Sequence, residues 1–193
     1  NENVAWKIGC ATGKYLKEHP FPDSPCDHPD TVVVSRDMRP SSPALAEAFI
    51  EGVRAAGMNV IDIGMCDTSF IYFAVNHLSA AGGVQVTASH NPIEYNGLKI
   101  SGRQAKPIGA ATGLNEIKTI AESLGDRGSI EPTGTLTQRD LWLAYRDHVL
   151  SFMSKLDRPL KVVIDASNGM AGKLIPKVFN GYPDLEIIPI NFE

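Results

Sequence analysis

Apolar and polar positions change period several times along this chain, and the changes mark out its elements. Over residues 3 to 17, Val4, Ile8, Ala11, Tyr15 and Leu16 recur near one face of a helix. Gly13 weakens that helix through its backbone entropy. The first residues already lie inside this pattern, so no element is expected before it. Residues 18 to 30 carry Pro20, Pro22, Pro25 and Pro29 without periodicity, which predicts a surface loop. His19 and His28 are expected to be solvated there, since no Cys or carboxylate pattern at ligand spacing supports a metal site. Thr31 to Ser35 is a β-branched run and predicts a strand. Ser42 followed by Pro43 predicts an N-cap and first turn. The helix behind them carries Leu45, Phe49, Val53 and Ala56 and stops near Gly57. Met58 to Ile63 is the next strand, and Thr68 or Ser69 is expected to cap a helix bearing Phe70, Phe73, Ala74 and Leu78.

The pattern then breaks in an unusual way. Val84 and Val86 alternate with Gln85 behind Gly82-Gly83, so a strand is expected. It runs into a polar loop, Ala88-Ser89-His90-Asn91-Pro92, and Asn96-Gly97 marks a turn before a return strand, Leu98-Lys99-Ile100. Loops held by rigid elements are where chemistry is usually placed. Residues 101 to 113 are loop-like and 113 to 124 helical. Thr137-Gln138-Arg139-Asp140 predicts a capping box for a helix reaching about Leu156, with Leu141, Tyr145, Val149, Phe152 and Leu156 on one stripe. Leu160 to Ile164 is a strand, Asp165 to Gly172 leads into a helix ending near Gly181, and Leu185 to Ile190 is another strand.

Strands alternating with helices at this spacing predict an α/β fold: a mixed, largely parallel sheet between helix layers, three layers in all, plus the start of a second similar domain. The expected domains are residues 1 to 156 and 157 to 193. A single βαβ unit cannot cover both faces of its own sheet, so the second is expected to be incomplete and to leave apolar surface exposed.

Composition adds exclusions. The 193 residues are 43% hydrophobic and 21% charged, with a net charge of −4. No run of Lys or Arg argues for nucleic acid or an anionic membrane, and no apolar run is long enough to span a bilayer. The N-terminus has no signal-peptide pattern. Cys10, Cys26 and Cys66 are odd in number and far apart, which fits inert thiols in a reducing cytoplasm better than disulfides or zinc.

Ser89 is the leading candidate for chemistry, because it follows a strand end where α/β folds place ligands. His90 is poorly placed as its base, since adjacent residues of extended chain point apart. The Gly-x-Ser-x-Gly elbow of hydrolases is missing. A serine can instead carry a phosphoryl group, which calls for cations, oriented donors and a metal. Arg36, at another strand end before a helix, suits that need, with a surface pair to Asp37 as the plainer reading. Lys99 faces either the loop or bulk water. Asn168-Gly169 and Gly172 fit neither a Walker nor a dinucleotide pattern and predict a tight strand-to-helix turn.

Thr87-Ala88-Ser89-His90-Asn91-Pro92 with Tyr95-Asn96-Gly97-Leu98-Lys99 resembles the active-site loop of the α-D-phosphohexomutases. The upstream Ser35-Arg36-Asp37-Met38-Arg39-Pro40-Ser41-Ser42 and the downstream Val163 to Gly172 stand in family order. Tyr95 is similar to the phosphomannomutase and phosphoglucomutase branch. The resemblance implies that Ser89 is a phosphoryl carrier. It would interconvert hexose 1- and 6-phosphates of mannose or glucose through a hexose 1,6-bisphosphate. It implies Mg²⁺ bound through the phosphate on Ser89 and an aspartate loop in the second domain. His90 would shape the phosphoserine environment, and Lys99 would act as acid/base or charge-stabilising group. Arg36 and Asn91 would belong to the phosphate environment. Ser35 stands where the family commonly has Gly, and the family's opening strand and its metal, sugar and phosphate loops are not among these residues. The chain is therefore expected to be an inactive N-terminal portion that works with the remaining domains of its own full-length chain, on hexose phosphates and with no nucleic acid or membrane partner. The alternative is a phosphosugar-binding module without turnover.

Overall fold

The computed structural model describes residues 1 to 19 and 26 to 193. It forms two compact units, Asn1–Arg139 and Asp140–Glu193. The division falls before the helix that the sequence places at the end of the first domain. Part of the expected loop, residues 20 to 25, lies outside the described residues.

The first unit is built on a five-stranded sheet in the order β4-β3-β1-β2-β5. Its strands are β1 (His28–Arg36), β2 (Asn59–Met65), β3 (Ala80–Val86), β4 (Leu98–Gly102) and β5 (Leu136–Gln138). Only β4 runs antiparallel, next to β3. The expected mixed, largely parallel sheet is what the structure contains. Helices α1 (Glu2–Glu18), α2 (Ser42–Ala55) and α4 (Leu114–Ser123) join the core of one face, and α3 (Thr68–His77) lies on the other.

The pleat assigns residues to the two faces. Val32, Val34, Val60, Val84 and Ile100 share a core with Phe49, Val53, Leu16 and Ile117. Gly83 points the opposite way, where a Cβ would stand 2.4 Å from a Val75 methyl of α3. Helices α1 and α2 approach so closely that a Cβ on Gly52 would lie 2.0 Å from the Trp6 carbonyl oxygen, and one on Gly9 2.2 Å from that of Phe49. Glycine here is a packing requirement. Trp6 is fully buried, whereas Val4, expected on the buried face, is half exposed.

Three local expectations fail, each because a different partner wins. Ser42 does not cap α2; it lies inside the helix, and its hydroxyl donates to Asp37. Helix α3 is capped by the Asp67 carboxylate, which accepts from the Phe70 N–H at 3.0 Å, and not by Thr68 or Ser69. The expected capping box is a strand: Leu136, Thr137 and Gln138 pair with β2, and that tertiary pairing overrides the local signal. His19 is exposed, as expected. It stacks on Tyr15 with ring centroids 4.3 Å apart, and its Nε2 lies 3.6 Å from Glu116.

The second unit contains α5 (Trp142–Leu150), β6 (Leu160–Asp165), α6 (Ala171–Phe179) and β7 (Leu185–Ile190). Helix α5 begins where the Asp140 carboxylate accepts from the Trp142 N–H at 2.8 Å, and it stops at Leu150, well short of Leu156. Phe152, expected on its stripe, is 77% exposed. Strands β6 and β7 are parallel and stand alone as a pair. Val163 and Ile190 are exposed, as expected of a sheet that this chain leaves uncovered.

Candidate phosphoryl-carrier loop

The C-terminal ends of β1, β2 and β3 lie side by side. The Asp37 N–H donates to the Val86 carbonyl and the Cys66 N–H to that of Arg36, both at 3.0 Å. Beneath this edge is a buried polar bridge. The Ser35 hydroxyl donates to Gln85 Oε1, and Gln85 Nε2 donates to the Cys66 carbonyl at 2.9 Å. The Ser35 hydroxyl thus supplies a donor to the buried Gln85 amide oxygen. A buried amide left without partners is costly.

The loop of residues 87 to 97 springs from this edge. Its feet are joined by the Thr87 N–H, which donates to the Gly97 carbonyl at 2.9 Å. The Asn91 N–H closes a turn on the Ala88 carbonyl at 3.1 Å, and the Tyr95 N–H closes another on Pro92. Ser89 sits in the first turn with φ of 59°, the left-handed region that residues other than glycine rarely enter. Its N–H donates to Thr87 Oγ1 at 2.9 Å. Ser89, His90 and Asn91 are all exposed.

A long-range clamp holds the loop's far side. Arg39 Nη1 donates to the carbonyls of Pro92 at 2.6 Å and Tyr95 at 3.1 Å. Its Nη2 donates to those of Ser89 at 2.9 Å and Asn91 at 2.6 Å. Its Nε pairs with Asp37 at 3.1 Å, and both side chains are about nine-tenths buried. Asp37 is fixed in turn by the Arg39 N–H and the Ser42 hydroxyl. Asn96 Nδ2 adds a second tie, donating to the hydroxyls of Ser41 and Ser42.

The structure thus puts Ser89, His90 and Asn91 in one turn. Arg36 lies at the end of β1, in register with Val86 on one side and Met65 on the other. Lys99 is exposed on β4, opposite Gln85, on the sheet face away from Leu98 and Ile100. Asp37, Arg39 and Asn96 were not singled out from the sequence. The available signal was an Asp-x-Arg spacing just past a strand end, which by itself reads as a surface ion pair. Among the described residues, no three His, Cys, Asp or Glu side chains gather to hold a metal ion. None of the described helices is long and apolar enough to cross a membrane. Cys10 and Cys66 are buried, none of the three cysteines forms a disulfide, and burial pushes the Cys10 thiol up.

Comparison with known proteins decides the family. Residues 1 to 127 match the model for phosphoglucomutase/phosphomannomutase, alpha/beta/alpha domain I. The chain belongs to the phosphoglucomutase/phosphomannomutase family. It is 44% identical over 177 residues to a protein of Xanthomonas campestris pv. campestris named for phosphohexose mutases, covering 91% of this chain and 37% of that relative. It is 43% identical over 181 residues to a phosphomannomutase of Salmonella typhimurium, covering 92% and 37%. A crystal structure of a phosphoglucomutase/phosphomannomutase family protein from Burkholderia thailandensis superposes with a TM-score of 0.79 at 34% identity, over all of this chain and 41% of the other. The chain therefore spans under half the length of these family members, and its fold is that of their matched part.

Proposed function

We propose that this chain is the phosphoserine-bearing portion of a phosphohexomutase that interconverts hexose 1- and 6-phosphates. One observation carries the reading: in a member of this family, Ser89 is an exposed hydroxyl in a strained turn at the C-terminal edge of a parallel sheet, on a loop clamped from below. Phosphoryl transfer needs in-line positioning and charge neutralisation more than covalent machinery, and a fixed loop at a strand end supplies the first.

The proposed cycle balances as follows. The resting protein carries a phosphoryl group on Ser89 Oγ. The substrate's free sugar hydroxyl, O6 of a hexose 1-phosphate, attacks that phosphorus and loses its proton. The P–Oγ bond breaks, and Oγ gains a proton to become the free hydroxyl. The hexose 1,6-bisphosphate turns around, Ser89 Oγ attacks the phosphorus on O1 and loses its proton, the P–O1 bond breaks, and O1 gains a proton to leave the hexose 6-phosphate. Lys99 and His90 handle protons or charge near the carrier, Arg36 adds positive potential, and Asn91 shapes the turn. Mg²⁺ would supply Lewis-acid stabilisation of the transferring group. Ser89 is the residue of this chain that would meet it, through the phosphoryl oxygens, with carboxylates drawn from outside these residues. We place the protein in the cytoplasm because its three cysteines form no disulfide. The remaining domains of the full-length chain complete the site, and the portion alone is inactive.

Two measurements test the proposal. Intact-mass analysis of protein isolated from cells, with the site mapped, should find phosphate on Ser89. In the full-length protein Ser89→Ala should nearly abolish hexose phosphate interconversion on both glucose and mannose substrates. Phosphosugar binding with neither phosphate nor turnover would establish the binding-module alternative instead.

A further inference from the structure

The Arg39 guanidinium has five N–H bonds, and its five acceptors are Asp37 Oδ2 and the carbonyls of Ser89, Asn91, Pro92 and Tyr95. We propose that Arg39 is the positioning residue of the carrier loop, holding Ser89 in its left-handed conformation and so aiming its hydroxyl. This rests on the reading of Ser89 as phosphoryl carrier and adds what sets its geometry.

Three features support it. The loop is exposed from Ser89 to Tyr95, with even Ile93 and Tyr95 more than half exposed, so it has no apolar packing of its own to fix it. The φ of 59° at Ser89 is strained and persists only if surroundings enforce it. Gathering four carbonyls on one cation also orients their peptide planes. In a trans peptide the N–H is antiparallel to the C=O. The His90 and Ile93 N–H groups therefore point away from Arg39, outward from the clamp, where oriented donors suit an anion. The guanidinium itself is spent, so it does not grip a substrate phosphate. A lysine cannot replace it, because an ammonium has three donors and no planar fork.

The test uses the full-length protein with Arg39→Lys. The expected result is a fall in kcat of about 100-fold, the scale of a small misplacement, with KM changed by less than about threefold. Hydrogen exchange should quicken at the amides of residues 88 to 96 and stay unchanged in the sheet. Phosphorylation of Ser89 by hexose 1,6-bisphosphate should slow yet reach the same stoichiometry. A raised KM with kcat intact would make Arg39 a substrate contact and overturn the proposal. A lower melting temperature with unchanged kcat and loop exchange would overturn it as well. If the variant does not fold, ¹⁵N NMR of the wild-type protein decides: separately resolved, slowly rotating Arg39 Nη groups are expected, and a single averaged signal refutes the clamp. Turnover surviving in Ser89→Ala would instead sink the carrier reading while leaving the exchange result intact.

Discussion

Two loops leave the C-terminal ends of parallel strands in this chain, one after β3 and one after β6, and both contain residues at positive φ. Ser89 is at 59° in the first; Ser167 and Asn168 are at 47° and 53° in the second. They are held in different ways. The loop after β3 is fixed from a distance, by Arg39 and by Ser41 and Ser42, about fifty positions earlier in the chain. The loop after β6 is fixed within its own βαβ unit, by Asp165 at the end of β6 and by Asn191 just past β7, whose carbonyl accepts from the Asn168 N–H at 2.8 Å. The Asp165 carboxylate accepts from the Ser167 N–H at 2.8 Å and from Asn191 Nδ2 at 3.0 Å. These bonds, the Ser167 one first, hold the Asp165 carboxyl below the usual carboxylate range. A loop held in this way forms with its own βαβ unit. A remotely held loop exists only once the sheet edge has assembled, and its geometry can be set more finely.

The largest expected effect separates the two loops by chemistry. Ser89→Ala in the full-length protein should cost several orders of magnitude in turnover. Ser167→Ala should stay within about threefold, because that residue serves its loop through its backbone. Equal losses in steady-state assays would erase the distinction.

Next comes the remote clamp. Arg39→Ala strands Asp37 in a site where both side chains are about nine-tenths buried, so denaturant unfolding of the first unit should show a loss of about 3–5 kcal/mol. A loss under about 1 kcal/mol would mean that the loop supports itself.

A surface pair of the first unit gives a smaller reference value. Arg127 donates to both Glu51 oxygens, at 2.7 and 2.8 Å, with each side chain about a third exposed. The Arg127 hydrogen bond is the leading cause that lowers the Glu51 pKa. A lowered carboxylate pKa contributes stability above the unfolded value, and the contribution is lost as pH falls through the folded one. Glu51→Gln should therefore cost about 0.5 kcal/mol at neutral pH after solvent screening, and nothing once the pH is below that range. A cost that persists in acid would assign the effect to packing.

Asp165 follows the same sign on a fully exposed group. Asp165→Asn should remove only a slight acid-side dependence from the melting of the second unit. A large change there would show that this loop is not self-sufficient after all.

Legibility in the sequence follows the same division between local and remote. The strands of both units other than β5 were readable, because β-branched runs and a period of two are local properties; Thr31 to Ser35 and Leu160 to Ile164 fall inside β1 and β6. The tight turn at Asn168-Gly169 was readable for the same reason. Where a distant partner decides, local reading fails. Thr137 looks like a cap until β2 is beside it, and Ser42 looks like one until Asp37 takes its hydroxyl. Ser89, His90 and Asn91 could be grouped from the sequence because they are contiguous. Arg39 was passed over in favour of Arg36, because nothing near it in sequence shows the four carbonyls that fold onto it.

The Asp37–Arg39 pair also fixes how much charge the loop brings to a reaction. Its cation arrives with its own counter-ion 3.1 Å away, so the clamp is close to electrically neutral when viewed from the loop's outer side. A phosphoryl group on Ser89 would then meet shape and oriented dipoles from the clamp, but almost no net charge. Its two negative charges must be balanced by cations outside the clamp. Salt dependence of turnover would report on those cations and leave Arg39 silent.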